Sequence, residues 1–467
     1  MATLSFAGIA SGLDTQALID ATTNASRQTR VKPDQDRVSK LESANTAFEE
    51  LSTKLDALRD TLQNFTSLSG GGVAKTGTSS KESVVSANAE PTAFNGSYAV
   101  TVNALATNHT YSFDNTYADV GDALQSSLTG SEPEADRTVS FTVGTGTEQE
   151  TVDIVVSDGT FTVQDFVDEF NGTSQKARAS LVNTGTSASP AYKIVISSLY
   201  EGTEKGTITR SSLGSSLTNL SAFSENAAAN SSVTISGIGT LTRPTNTITD
   251  VIPGVSLELN SLGSSTVKIA EDATSTVSKV QDFIDIYNDI VQFVGSNNAI
   301  TREEDGEQVT NTFAPLASTR VDDNVLEMIR TEIGSAVASS GTTVRIFADL
   351  GITTQRDGTL AFDTAKLQTA ISSEVSSVSS VFQSFADSVA TTGGVIDQYT
   401  RFNGLLDVTI NANKTTISDL NKRISDAEAS IERQAEALRL RYARLESVMG
   451  RLQNQQQSLS SALAGLG

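Results

Sequence analysis

The strongest constraint on this chain is a pair of apolar seams at its two ends. From Leu41, the residues Leu41, Ala44, Phe48, Leu51, Leu55, Leu58, Leu62 and Phe65 recur at alternating steps of three and four, the a/d spacing of a coiled-coil helix. Near the other end, Leu406, Ile410, Asn413, Ile417, Leu420, Ile424, Ala427, Ile431, Gln434, Leu438, Arg441, Leu445, Val448, Leu452, Gln455, Leu459 and Ala462 step the same way, with Leu463 and Leu466 close to the seam. A helix over 411–463 would be ~80 Å long at 1.5 Å per residue. It cannot hide such a stripe against a compact domain and needs another long helix. The simplest fold joins the two seams in one discontinuous helical domain, with the middle of the chain looped out.

Local punctuation refines this. Pro33 is the only proline between Leu13 and Ser69, a stretch without glycine. A break is expected near it, with a short helix before and a long one after. Gly70-Gly71-Gly72 ends the second helix. Val280, Phe283, Ile284, Tyr287, Ile290, Val291 and Val294 form a further stripe at helical spacing, as do Val325, Ile329, Ile333 and Val337 within 322–339. Asp363 is an N-cap for a helix through Leu367 and Ile371. Leu51, Leu55, Leu58, Leu420, Ile424 and Ile431 are expected in the bundle core. Asn413, Gln434, Arg441 and Gln455 dilute the long seam, so its last ~30 residues are expected to order against a partner. Ordinary fraying is the alternative.

From about 83 to 270 the period switches to two. Ser97–Val102, Thr138–Val143, Val152–Val156, Tyr192–Ile196, Ser232–Ile235 and Val255–Leu259 read as strands. A short helix spans Val163 to Phe170. The polar stretches Thr129–Glu134 and Glu225–Asn230 read as the two boundaries of an inserted second β domain.

Composition narrows the chemistry. The chain of 467 residues has no Cys, which removes disulfides, thiolate metal sites and Cys nucleophiles together. It has one His, so a Ser-His-Asp triad could use only His109, whose setting suits a plain strand or surface residue better. Net charge is −22, which argues against nucleic acid and anionic membrane as partners. The ends are near neutral and 71–400 carries the excess. No apolar run approaches the ~20 residues of a membrane span, and no Lys or Arg precedes Arg27, so no secretory signal is expected. Neither a cofactor nor an enzymatic activity is expected.

Four segments together resemble the family of bacterial flagellar filament-capping proteins, the second hook-associated proteins. They are Gly8–Asp14 with the helix that follows; Asn246–Leu257 followed by Asp282–Asn288; Leu350–Thr354 with Asp357–Leu360 and Asp363–Leu367; and the terminal helix through Leu445, Met449 and Leu452. The third is the most specific. The resemblance implies an α+β multidomain fold, in which a discontinuous terminal coiled-coil or helical bundle domain encloses two nested antiparallel β-rich domains. The expected division is terminal segments 1–40 and 439–467, a helical leg of 41–72 and 271–438, an inner β domain of 73–132 and 228–270, and an outer β domain of 133–227.

It further implies a non-enzymatic cap at the distal tip of the flagellum, extracellular and exported without a cleaved signal peptide. Such a cap forms a ring-like homo-oligomer, retains arriving flagellin until it folds, meets hook–filament junction proteins, and is held before export by a chaperone. Candidate contact residues for filament, chaperone or self-association are Ile9, Leu13, Leu18, Ile19, Leu438, Tyr442, Leu445, Met449, Leu452, Leu459 and Leu463. Packing of the same stripe within the chain, against 13–25, is the competing expectation. A tip adhesin binding host glycans or mucin through the acidic β domains is the alternative function. A hydrolase would need clustered carboxylates, and those of the middle are scattered.

Overall fold

The computed structural model describes residues 14–305 and 308–464. The chain folds as two compact units, one drawn from its two ends (up to Gly72 and from Thr276 onward), the other being Val73–Ser275.

Helix α1 (Thr15–Arg30) opens on Asp14, whose carboxylate accepts from the Ala17 amide at 2.9 Å. Helix α2 (Lys32–Gln63) follows at once. The break expected near Pro33 falls at Val31, and Pro33 sits inside the first turn of α2. A first-turn amide has no intrahelical acceptor, so proline is tolerated there. Helix α2 was expected to end at Gly70-Gly71-Gly72 but ends at Gln63, where the Asn64 amide turns back onto the Thr61 carbonyl. The three glycines follow a short turn at Ser67–Ser69, with φ values of 89°, 83° and 79°. A Cβ at Gly72 would lie 2.0 Å from the Phe65 ring, so this turn requires glycine both for conformation and for space.

The second unit runs β1 (Lys75–Ser79), β2 (Val85–Ala89), β3 (Gly96–Ala104), β4 (Asn108–Phe113), β5 (Thr138–Val143), β6 (Glu150–Val155), α3 (Val163–Thr173), β7 (Ala177–Asn183) and β8 (Tyr192–Glu201). It continues through the single turn α4 (Thr203–Gly206), β9 (Ile208–Leu213), β10 (Phe223–Asn226), β11 (Ser231–Ile235), β12 (Gly239–Arg243), β13 (Thr247–Ile252), β14 (Val255–Leu259) and β15 (Gly263–Glu271). Eight strands form one antiparallel sheet in the order β12-β11-β3-β15-β1-β2-β14-β13. Alternate residues of its central strands, among them Val100, Val102, Val233, Leu257, Val267 and Ile269, meet in a single core. A period-two pattern with one shared core means that the sheet curls over its own apolar face.

Between β3 and β11 the chain leaves to build a second core from sheets β10-β4-β8-β7 and β6-β5-β9 and the helix α3. Its centre is aromatic. Tyr111 meets Phe113 and Phe141 edge-on at 5.3 and 5.6 Å, and Phe141 meets Phe170 at 5.7 Å, the geometry that ring quadrupoles favour. The boundary expected at 133 lies too late. Tyr111, Phe113, Tyr117, Leu124 and Leu128 already belong to this core. The polar stretch at 129–134 is a local turn, in which the Glu132 carboxylate accepts the Thr129 amide at 3.0 Å and hydroxyl at 2.9 Å.

The two cores are tied at the crossing strands. Thr107 and Ala229 exchange backbone hydrogen bonds. The Asn246 side chain accepts the Ala106 amide at 2.8 Å and donates to the Ala106 carbonyl at 2.9 Å. Glu201 accepts from the same Asn246 amide group at 2.9 Å. His109, beside this junction, is a buried strand residue rather than a surface one. Its Nδ1 accepts the Ile208 amide at 3.1 Å, and Glu225 lies 3.5 Å from Nε2. Burial lowers its pKa below the ordinary 6.5, although Glu225 pulls it the other way. Protonation would set an N–H at Nδ1 against the Ile208 N–H.

The stability that neutral His109 contributes is therefore full above 6.5 and is lost as pH falls from there through the lowered value. As the chain's sole histidine, it gives one imidazole resonance to follow by NMR. The expected midpoint is below 6.5, accompanied by falling stability of the β unit; a midpoint at or above 6.5 would refute this.

The first unit resumes with α5 (Ala273–Asn297), the hairpin β16 (Ile300–Asp305) and β17 (Gln308–Phe313), α6 (Val321–Ser335), β18 (Ile352–Thr354), β19 (Leu360–Phe362), α7 (Thr364–Ala390), α8 (Val395–Thr400) and α9 (Leu405–Ala464). The α5 stripe is buried as its spacing predicts. Helix α6 was expected to reach 339 but ends at Ser335, leaving Val337 exposed. Polar bonds divert the chain onto α7 there. The Ser339 amide donates to Ser380 Oγ at 2.8 Å, and the Ser377 hydroxyl donates to the Ser340 carbonyl at 2.6 Å.

One turn earlier on α7, Glu374 departs from helical geometry (φ −142°, ψ 57°). Its carboxylate accepts the hydroxyls of Thr342 at 2.6 Å and Thr343 at 2.8 Å, and the Thr343 amide at 3.0 Å. These bonds, that from Thr342 first, hold its pKa down at about 2.

The loop through Asp357-Gly358 has three residues, because Gln355 donates to the Thr359 carbonyl at 2.8 Å and Gly358 to the Gln355 carbonyl at 3.0 Å, with Gly358 at φ 85°. This is the type I turn followed by a left-handed glycine that three-residue hairpins use. Two of the family-like segments meet here. Asn288 accepts the Leu360 amide at 2.7 Å and donates to the Leu360 carbonyl at 2.9 Å, while the Tyr287 hydroxyl donates to the Gly358 carbonyl at 3.1 Å. Asp363 then caps α7, accepting from Ala365 at 3.1 Å and Lys366 at 3.2 Å.

Candidate functional site

Helix α9 spans 60 residues, ~90 Å at 1.5 Å per residue, and only part of it is covered. Its partners are α1 and α2, in one antiparallel register. The Arg27 side chain meets Glu428 at 3.0 Å, Asp34 meets Arg423 at 3.1 Å, and the Asn413 amide donates to Asn45 at 2.8 Å. Each step up the first strand of this register is a matching step down α9. The ion pairs are half-exposed and mark the register more than they stabilise it. The Asn45–Asn413 pair differs, because Asn45 is buried beside the apolar seam. A slip would strand one amide without its partner, so the pair specifies alignment as a polar seam residue does.

Around this pair Phe48, Leu51, Leu55, Leu58, Leu420 and Ile431 are buried as expected, and Ile424 is half-buried. The same register carries Ile19, which is buried, to the level of Leu438, which is half-buried. Thr15 reaches the level of Tyr442, also half-buried. There α1 ends, and the stripe of α9 continues into solvent. Leu445 is 46 % exposed, Leu452 54 % and Leu459 66 %, with Val448 and Met449 between them. The apolar spacing is thus kept for about five further turns, at 3.6 residues per turn, beyond the last covered position, which marks a contact surface for something outside these helices.

Of the residues proposed from sequence, Leu445, Met449, Leu452 and Leu459 lie on this free stripe. Leu438 and Tyr442 sit at its covered margin. Leu18 faces solvent and its neighbour Ile19 packs inward, as adjacent helical positions must. Ile9, Leu13 and the side chain of Leu463 lie outside the described residues. The stripe is flanked by Arg439, Arg441, Arg444 and Arg451, with Glu446 the one acid between them, and no charged residue follows Arg451. In a chain of net charge −22, this end is locally basic.

What sequence reading missed is the polar partner Asn45, hidden at a position flanking the seam, and the clamp that Asn288 applies to Leu360. Neither has a sequence signal, since each depends on which distant backbone arrives beside it.

Among the described residues no group of three or more His, Asp or Glu is placed to hold a metal. No helix of the described residues is long and apolar enough to cross a membrane. His109 is engaged by Ile208 and Glu225 inside the β unit. The arrangement is that of a long-helix protein with an open helical contact stripe.

Comparison with known proteins gives that class its family. The family model described as the flagellar hook-associated protein 2 N-terminus matches residues 11–109, and that described as its C-terminus matches 228–454. The chain belongs to the flagellar hook-associated protein 2 family, a structural family of flagellar cap proteins rather than an enzyme family. The B-type flagellar hook-associated protein 2 of Pseudomonas aeruginosa is 26% identical over 419 residues, covering 84% of each chain. The flagellar hook-associated protein 2 of Escherichia coli strain K12 is 22% identical over 470 residues, covering 96% of each. Among solved structures, the D1-D2-D3 domains of the flagellar cap protein FliD from Escherichia coli share the fold, with a TM-score of 0.57 at 19% identity. They cover 79% of this chain and 99% of that one. The multidomain α+β architecture expected from the sequence is the one observed.

Proposed function

We propose that this chain caps the distal tip of the bacterial flagellar filament, retains exported flagellin there, and promotes its folding and insertion into the growing filament. The observation that carries this reading is the free stripe of α9, an apolar seam built for a helical partner and left uncovered beyond Tyr442. Family membership supports a place at the filament tip for the protein that carries this stripe. In this reading the helical unit and the terminal segments 1–40 and 439–467 engage the filament end. The inner and outer β domains form the plate above. Several copies assemble into a ring-like homo-oligomer. Hook–filament junction proteins and an export chaperone are the further partners, and the protein is extracellular, exported without a cleaved signal peptide.

A cap must release and rebind as each subunit is added, and a seam diluted with Arg441 and Gln455 suits contacts of moderate strength. The adhesin reading finds no support in the family or in the relatives. The test is a strain lacking the gene, scored for filament length by electron microscopy and for flagellin in the medium. Hooks without filaments, with abundant monomeric flagellin released, are expected. Filaments of normal length would overturn the proposal.

A further inference from the structure

The helical unit carries a projecting aromatic ring on one face of the α2–α9 pair and an open cavity on another. Phe402 stands in the turn between α8 and α9 and is 88 % exposed. The turn is tightly held. Gly404 donates to the Arg401 carbonyl at 2.7 Å, Asn403 donates its amide to Asp407 Oδ2 at 3.0 Å, and Asn403 adopts φ 57°. Asparagine, with its short polar side chain, adopts left-handed backbone more readily than most other non-glycine residues, and the bond to Asp407 fixes it there. The turn keeps a phenyl ring in water, with Leu405 and Val408 half-exposed beside it.

The cavity, about 660 Å³, lies between α2, the segment after β17, and α9. Leu41, Ala44, Phe48 and Phe313 floor it, and Arg37 and Lys40 stand at its rim. Ring and cavity lie on different faces of the pair. Glu49 and Thr53 of α2 line the Phe402 side, and Leu41, Ala44 and Phe48 the cavity side. On α9, Leu406 and Ile410 line the ring side, and Thr409 and Asn413 the cavity side, roughly a quarter turn away at 3.6 residues per turn. Charge also matches. Glu49 and Asp407 outnumber Arg401 around the ring, whereas the cavity rim bears two cations.

We propose that Phe402 of one copy seats in the Leu41–Phe48–Phe313 cavity of a second copy. The proposal rests on the reading that the chain assembles with itself, and it names the surfaces. A ring on one face and its socket on another make a head-to-tail contact, which repeats identically and closes into a ring when its rotation allows.

The test uses the full-length protein, which has no cysteine of its own. Arg401→Cys in one copy and Lys40→Cys in another, mixed with a short bis-maleimide, should give a covalent heterodimer that is lost when Phe402→Ser is added to the first. By sedimentation, Phe402→Ser alone should weaken self-association at least about tenfold with an unchanged melting temperature, as its exposure requires. If the wild type associates, Phe402→Ser associates equally well and no cross-link forms, these surfaces are wrong while self-assembly stands. A wild type that stays monomeric at its highest soluble concentration overturns both this contact and the assembly reading beneath it.

Discussion

A chain carrying Leu445→Gln, Leu452→Gln and Leu459→Gln together folds as the wild type does and supports no filament growth. All three side chains are exposed on α9, and Gln is nearly as good a helix former as Leu. Substitutions at such surface positions shift stability by only about ±0.5 kcal/mol each. Any partner helix loses three apolar contacts at once. At ~1.5–3 kcal/mol per buried leucine, the total exceeds about 4.5 kcal/mol, roughly a thousandfold in affinity. A contact of micromolar strength would vanish. The measurement is helical circular dichroism and melting of the purified variant, beside filament length and released flagellin in a strain expressing it. Normal filaments would show that the free stripe is not the contact. A collapsed melting curve would show that the stripe is covered within the chain, the competing expectation. By contrast, the single change Leu420→Gln should unfold the seam, because Leu420 is buried where α2 covers α9.

That contrast shows what can be read from a linear chain. The two seams were legible because a three–four repeat is a property of spacing alone, and so was their need for one another, because a helix this long has no other cover. Which stretch of the repeat is covered was not legible. Ile431 and Leu452, three heptads apart, occupy equivalent seam positions, yet Ile431 is buried and Leu452 is exposed; their different fates follow from where α1 begins, at Thr15. The register itself is set by Asn45 meeting Asn413. One of those was visible as a seam dilution, while the other lies off the repeat that the sequence displays. The outer β core was misjudged for a related reason. Tyr117, Leu124 and Leu128 lie in an irregular stretch between β4 and β5 with neither period, so nothing local says that their side chains are buried. Proline was read well where its covalent geometry decides, as at Pro33 in the first turn of α2. Helix ends were read less well where hydrogen bonding decides, as at Asn64, whose amide closes α2 well before Gly70-Gly71-Gly72. The turn after Phe402 carries a sequence signal in Asn403-Gly404, but nothing local says that the Phe402 ring beside it is left in water.

The largest effect on stability is expected from Phe382→Ala. Its ring, on α7, lies 4.9 Å from that of Phe65 and 5.4 Å from that of Phe347. Phe347 in turn meets Phe385 at 5.4 Å, and Phe385 meets Phe283 of α5 at 5.5 Å. All five rings are buried. Phe382 therefore joins the N-terminal stretch, at the point where α2 ends, to segments more than 280 residues later in the chain. Removing it takes away the burial of a phenyl ring and leaves a void that stiff aromatic neighbours cannot fill by small rotamer changes, so the cost is ~3–5 kcal/mol. Phe382→Leu keeps most of the volume and should lose much less. Urea denaturation followed at 222 nm reports mainly on the first unit, where the long helices α2, α5, α7 and α9 lie. Its midpoint should fall sharply in Phe382→Ala, with the slope unchanged if the folded state keeps its extent. A loss below about 1 kcal/mol would mean that this cluster packs loosely. Helices α2 and α7 would then be held together chiefly by their other apolar contacts, and the long-range closure that brings the chain's two ends into one unit would rest on the α2–α9 seam alone.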